Sequence, residues 1–175
     1  MANKPLPTPE VLRQLMTYDP ETGKLFWKER GPEQAAWNRA WAGKETFTAP
    51  SGHGYRVGHI NGSKYYAHRV AFAYVHGKWP DAHIDHINGD RADNRLSNLR
   101  PATNSENMRN MSAPRSNKSG AKGVSWSSAR MKWEARIRTD AGSKFLGYFD
   151  TVHEAAEAYR RAALEFHGAF ARVGD

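Results

Sequence analysis

Cysteine is absent from all 175 residues, which excludes disulfides and thiolate metal sites and fits a reducing cytosol. No stretch approaches the roughly 18–20 consecutive apolar residues that a membrane span needs. The first residues carry Pro5, Pro7 and Pro9 and lack the apolar segment of a signal peptide. Acidic residues are also missing over a long run. Thr46 to Pro80 contains none, against four bases (Arg56, Lys64, Arg69, Lys78). Lys118 to Tyr148 carries seven bases against Glu134 and Asp140, while Asp81 to Leu99 between them holds four acids and two bases. With a formal net charge of +8, two basic regions flanking a small acidic centre suit a polyanion held on both sides of a metal site.

Hydrophobic residues make up 39% of the chain, enough for small packed cores, and the length leaves room for one medium domain or two small ones. Thr8 before Pro9 and Glu10 predicts a capped helix start, with Val11, Leu12, Leu15 and Met16 on one face. Asp19 to Gly23 predicts a turn and Lys24 to Lys28 a short strand. Trp37 and Trp41, four residues apart, suit one face of a short helix. Asn61-Gly62 between Tyr55–Ile60 and Lys64–Ala67 predicts a tight hairpin, followed by a helix from about His68 to His76 and a cap at Gly77. Met111 to Ala121 lacks periodicity and reads as a linker too polar to pack. Lys132 to Arg138 alternates, with Trp133, Ala135 and Ile137 on one side and Lys132, Glu134, Arg136 and Arg138 on the other. Lys144 to Phe149 predicts a second strand, with Gly142-Ser143 as the turn. Thr151 with Glu154 opens a helix by a capping box.

The chemistry is concentrated in His83 to Asn110. Asp85 stands next to His86, an Asn-Gly turn follows at Asn88-Gly89, and Thr103 with Glu106 makes a second capping box. A helix therefore begins near Asn104, with Asn107 in its first turn. Taken singly, each of these residues is ordinary loop chemistry. Their order and spacing resemble the His-Asn-His (ββα-metal) endonucleases, in the variant whose last His is replaced by Asn. The matching residues are Asp85-His86, Asn94 to Leu99 and Thr103 to Asn107. The upstream Ala67 to Ala71 and Tyr18 to Gly23 are similar too, so the resemblance spans about the first 110 residues.

That resemblance implies His86 as general base toward the attacking water, and Asn98 as the middle Asn, bonding loop backbone and orienting His86. It implies Asp85 and Asn107 as oxygen ligands of one divalent cation, Mg²⁺ or Mn²⁺. His83 reads as incidental, and His68 as orienting its helix against the hairpin. Asp90 and Asp93 do not meet the spacing of a calcium loop.

Gly123 to Ala171 resembles the Apetala2/ethylene-response-factor DNA-binding domain. The resemblance is carried by Gly123-Val124, Lys132-Trp133, Ala135, Ile137-Arg138, Leu146 to Thr151, Glu154 to Ala156, Ala158-Tyr159, Ala162-Ala163 and Gly168. It implies a three-stranded sheet whose outer face meets the major groove, with Lys122, Arg130, Lys132, Arg136, Arg138 and Phe145 at the DNA. Two arginines usual in the family's first strand are Ser125 and Ser127 here, which implies weaker base readout.

The expected fold class is α+β: a ββα-metal nuclease domain over residues 1–111, a linker over 112–119, and a sheet-plus-helix binding domain over 120–175. The expected activity is hydrolysis of DNA phosphodiesters, with double-stranded DNA as partner, no membrane or protein partner, and a monomer in the cytoplasm (the host's, for a phage-encoded protein). The rivals are a DNA-binding regulator on an inactive nuclease fold and an RNA-directed protein.

Overall fold

The computed structural model describes residues 5–114 and 116–172. The chain divides into two compact units, Met1–Ala102 and Thr103–Asp175. Both mix helices with small antiparallel sheets, so the fold is α+β. No helix of the described residues is long and apolar enough to cross a membrane.

The first unit opens with α1 (Pro9–Leu15), whose cap is Thr8: its side chain accepts from the Val11 N–H at 3.4 Å. The helix stops one residue before the expected Met16. Met16 instead starts β1 (Met16–Asp19), which pairs antiparallel with β2 (Lys24–Trp27) in the register Met16↔Trp27. The turn between them supplies the reason. Asp19 accepts from the Glu21 N–H at 3.0 Å and from the Thr22 hydroxyl at 2.6 Å, which closes a hairpin that the helix would have to unwind.

Helix α2 (Ala35–Trp41) carries both tryptophans. Trp37 meets Trp27 edge-on at 5.8 Å and lies under the Arg30 guanidinium at 3.6 Å, whereas Trp41 stays exposed. Strand β3 (Glu45–Thr46) extends the first sheet, and β4 (Ala49–Pro50) pairs with β5 (Arg56–Ile60), which pairs with β6 (Ser63–Tyr66). Asn61 and Gly62 join β5 to β6 with φ of 50° and 80°, the left-handed pair that a two-residue hairpin turn requires.

Helix α3 (Ala67–His76) buries Val70, Ala71 and Ala73 against Leu12, Met16, Leu25, Phe47, Ile60, Ile84 and Leu99. Its Arg69 reaches out to the Pro80 and Ala82 carbonyls at 2.8 and 3.2 Å. Those bonds steer the segment that enters β7 (His83–His86), which pairs with β8 (Leu99–Ala102).

The second unit begins with α4 (Asn104–Asn110), capped by the reciprocal Thr103–Glu106 box. Strands β9 (Val124–Ser127), β10 (Lys132–Thr139) and β11 (Gly142–Phe149) form one antiparallel sheet with β10 in the centre. The turn between β10 and β11 falls at residues 140–141, two positions earlier than expected, because Gly142 and Ser143 pair with Thr139 and Arg138. Helix α5 (Val152–His167) starts at the Thr151–Glu154 box and packs Ala155, Tyr159, Ala162 and Ala163 against Val124, Ala135 and Ile137. Alanines on that face let the helix approach the sheet closely.

Two boundaries differ from those read in the sequence. Helix α4 clusters with the second unit, so the division falls at Ala102 rather than near Met111. At the end of the expected linker, Asn117 and Ser119 are hydrogen-bonded to the chain that follows and to each other. The Ser119 N–H donates to Asn117 Oδ1 at 2.8 Å, the Ser119 hydroxyl to the Val124 carbonyl at 2.8 Å, and Asn117 Nδ2 to the Ala121 carbonyl at 2.8 Å. These two polar side chains satisfy the local backbone without an apolar face.

Candidate active site and nucleic-acid surface

Strand β7 delivers the Asp-His pair. Asp85 and His86 are each only 4% exposed, and the register sets Asp85 opposite Arg100 and His86 opposite Leu99. A carboxylate buried this deeply needs a counter-charge. Arg100 supplies one, donating from Nε at 2.9 Å and from a terminal nitrogen at 2.7 Å to the same Oδ2.

The chain leaves β7 through a long loop that Asn98 ties shut. Asn98 Oδ1 accepts from the Asn88 N–H and its Nδ2 donates to the Asp93 carbonyl, both at 2.9 Å. Its backbone carbonyl accepts from the Ile87 N–H at 2.9 Å. One buried amide thus joins the two ends of the loop. Within it, Asn88 and Arg95 both bond the Asp93 carboxylate, and the Arg95 bond is the main cause that lowers the Asp93 pKa to about 2.

His86 sits among rings. The His68 ring meets it edge-on at 5.1 Å and the Tyr55 ring lies at 5.8 Å. His86 Nε2 faces Asn94 Oδ1 at 3.3 Å. Burial pushes the His86 pKa below the ordinary histidine value, against the Asn94 bond and the charges of Asp85, Asp90 and Asp93, which raise it. The ring is therefore neutral near pH 7, the form in which it can accept a proton. Burial acts harder on His68, which falls to about 3, and its Nδ1 has no hydrogen-bond partner among the described residues. His68 thus packs against the Asp-His pair's own imidazole, a closer association than the helix-orienting role expected of it. His83 is exposed at the start of β7.

Asn107 lies in the first turn of α4, half-buried, with its N–H bonded to the Thr103 carbonyl at 3.0 Å. It belongs to the second unit, whereas Asp85, His86 and Asn98 belong to the first. Among the described residues no group of three or more His, Asp or Glu side chains converges on one point. The Asp85 carboxylate, paired with Arg100 at 2.7 Å, is an oxygen donor of the kind a hard divalent ion takes.

The sheet of the second unit presents a different surface. Ala135 and Ile137 are buried under α5, and Trp133 is half-buried against Trp126 at 5.1 Å. The opposite face carries Arg136 and Arg138, both exposed, with Phe145 and Tyr148 in contact at 5.0 Å. Arg136 lies over the Phe145 ring at 5.3 Å and Arg130 over Tyr148 at 5.8 Å. Lys132 pairs with Asp150 at 3.0 Å, and Arg136 with Glu134. Lys122, expected at the DNA, is engaged elsewhere. Its ammonium donates to the Met108 carbonyl at 3.1 Å and the Arg109 carbonyl at 2.7 Å, capping the C-terminal end of α4. The sequence marks Asn94 and Tyr148 only as members of the matching runs Asn94 to Leu99 and Leu146 to Thr151, with no role, and does not mark Trp126 or Arg100.

The buried Asp-His pair at a strand end, the loop closed by an amide and the capped start of α4 fall in one stretch of sequence. The HNH endonuclease family model matches residues 65–109. Protein 3.8 of Escherichia phage T7 is 40% identical over 90 residues, covering 51% of this chain and 74% of that protein. The chain belongs to the HNH endonuclease family. A separate region is similar to plant proteins: APETALA2-like protein 2 of Oryza sativa subsp. indica and the AP2-like ethylene-responsive transcription factor TOE2 of Arabidopsis thaliana, each 44% identical over 55 residues. That match covers 31% of this chain but only 13% and 11% of those proteins. No solved structure matches the chain.

Proposed function

We propose that this nuclease is a metal-dependent DNA endonuclease in which the first unit carries the base and the β9–β11 sheet grips the duplex. The observation that carries this reading is the buried Asp85–His86 pair, with its neutral imidazole and its loop tied by Asn98. His86 takes a proton from water as the water oxygen bonds to phosphorus. The bond from phosphorus to the 3′-oxygen breaks, that oxygen takes a proton from solvent, and the products end in 3′-hydroxyl and 5′-phosphate. Asp85 and Asn107 would be the oxygen ligands of a divalent ion, Mg²⁺ or Mn²⁺, which would offset charge on the phosphate and the leaving oxygen. Asn98 acts on structure: it holds the loop that returns from His86 to β8. Lys132, Arg130, Arg136, Arg138 and Phe145 supply phosphate contacts and one aromatic face.

Supercoiled plasmid incubated with the full chain, with and without Mg²⁺, tests the reading. Nicked or linear product should appear with the metal and vanish in excess chelator. Asp85→Ala and Asn107→Ala should each raise the metal concentration needed, Asp85→Ala more, because it removes a charge. Cutting that persists undiminished in chelator rules out the metal requirement. DNA binding without any cutting at any metal concentration favours a regulator on an inactive nuclease fold.

A further inference from the structure

Asn94 is 4% exposed, although a polar amide in a loop of this length is cheapest left in water. Its Nδ2 donates to the Ala92 carbonyl at 3.1 Å, which fixes which way the amide points and turns Oδ1 toward His86 Nε2 at 3.3 Å. An amide oxygen only accepts, and a neutral imidazole has one N–H and one lone pair. The proton therefore sits on Nε2, and the lone pair on Nδ1.

The backbone of Asn94 is gripped from far away in sequence. The Tyr18 hydroxyl on β1 donates to the Asn94 carbonyl at 2.8 Å in a buried setting, 76 residues away. Burial raises the Tyr18 pKa to about 12, so the hydroxyl keeps its proton throughout the neutral range. The turn that ends the same hairpin closes on the next peptide. A Cβ at Gly23 would lie 2.3 Å from the Arg95 nitrogen and 2.4 Å from the Asn94 carbonyl carbon, and the φ of +72° also requires glycine. The amide of Asn98, by contrast, is spent on the backbone at Asn88 and Asp93.

We propose that Asn94 is the positioning residue of His86, holding the ring in the Nε2–H tautomer, and that the β1–β2 hairpin exists in part to hold Asn94. The inference rests on the reading of His86 as general base. Loss of the Asn94 acceptor frees the ring to rotate and to populate the other tautomer, in which the nitrogen meant to receive the proton already carries one.

The test uses the full chain, with ¹⁵N-labelled histidine and plasmid nicking measured in parallel. The neutral His86 ring in the wild type should give the ¹⁵N pattern of a single Nε2–H tautomer. In Asn94→Ala that pattern should become a tautomer mixture, and kcat should fall about 10–100-fold, as a misplaced catalytic group does, with KM for DNA within about twofold. Asn94→Asp, which keeps the acceptor, should recover most of kcat. Tyr18→Phe should lose about 3–10-fold, because it loosens the peptide and leaves the amide in place. An Nδ1–H ring in the wild type, which needs no variant to fold, overturns the proposal. So does a folded Asn94→Ala protein with unchanged kcat. Wild-type cutting by His86→Ala would instead overturn the base assignment, and the tautomer measurement would still judge the role of Asn94.

Discussion

The two units differ in where most of their chemistry-bearing side chains lie. The first buries its chemistry: His68, Asp85, His86, Asn94 and Asn98 are all less than a tenth exposed, and all lie around one hairpin and its loop. The second fills its core with alanines, Ile137 and Tyr159, and sets its charges and rings on the outer face of the sheet. Burial fixes a proton acceptor in one geometry and one charge state, which a reaction requires. Exposure leaves cations and aromatic faces ready to replace counterions along a polyanion, which binding requires. On the proposed reading, the contrast separates the base of the first unit from the DNA-holding sheet of the second.

The largest expected effect breaks the first half of that comparison. His86→Ala should lower cleavage by roughly 10²–10⁴-fold, the usual contribution of a positioned general base, with DNA affinity nearly unchanged. Single-turnover nicking and a gel-shift titration on the same protein check both statements. Equal losses in the two assays would mean that the first unit also carries the grip.

The next effect breaks the second half. Changing Lys132, Arg136 and Arg138 together to Ala should flatten the salt dependence of binding, by about 0.9 log unit for each phosphate no longer neutralised. Nicking at low salt and high enzyme concentration should survive, because none of the three lies in the first unit. This triple variant is a cleaner probe than removing residues 120–175, which would also strip α4 of the second-unit residues it packs with. An unchanged salt slope would show that the sheet does not hold the DNA.

A third test concerns stability and sharpens the burial argument. His68 titrates at about 3 in the folded protein and near its ordinary value of 6.5 when unfolded. The folded pKa is depressed, so between those values the unfolded chain binds more protons. Stability from this group is present in full above about pH 6.5 and is lost as pH falls toward 3, by on the order of a few kcal/mol. Urea unfolding of the full chain between neutral and mildly acidic pH should show that loss, and His68→Gln should reduce it. A slope that His68→Gln leaves unchanged would assign the acid sensitivity to other groups.

The smallest effect separates support from DNA binding within the second unit. Lys122→Ala should cost about 0.3–1 kcal/mol by uncapping α4. DNA affinity and its salt slope should stay near wild type in the same titration. A drop in the slope matching that of one sheet arginine would return Lys122 to the binding face.

Much of this was legible in the sequence because it is written over short spans. Both Thr-x-x-Glu boxes, the Asn61-Gly62 turn and the alternation of Lys132 to Arg138 are patterns within a few turns or one strand. Local sterics and hydrogen bonding decide them whatever the rest of the chain does. What the tertiary structure alone decided lies at long separation. It paired Arg100 with Asp85 across a register and brought Tyr18 to the Asn94 carbonyl over 76 residues. It also gave α4 to the second unit, with Lys122 as its cap. Nothing in the spacing of Asn94 from His86 marks that amide as a partner, because a loop has no period from which a direction can be read. Its contacts follow from where hairpins separated by most of the unit come to rest, and packing of the shared core settles that.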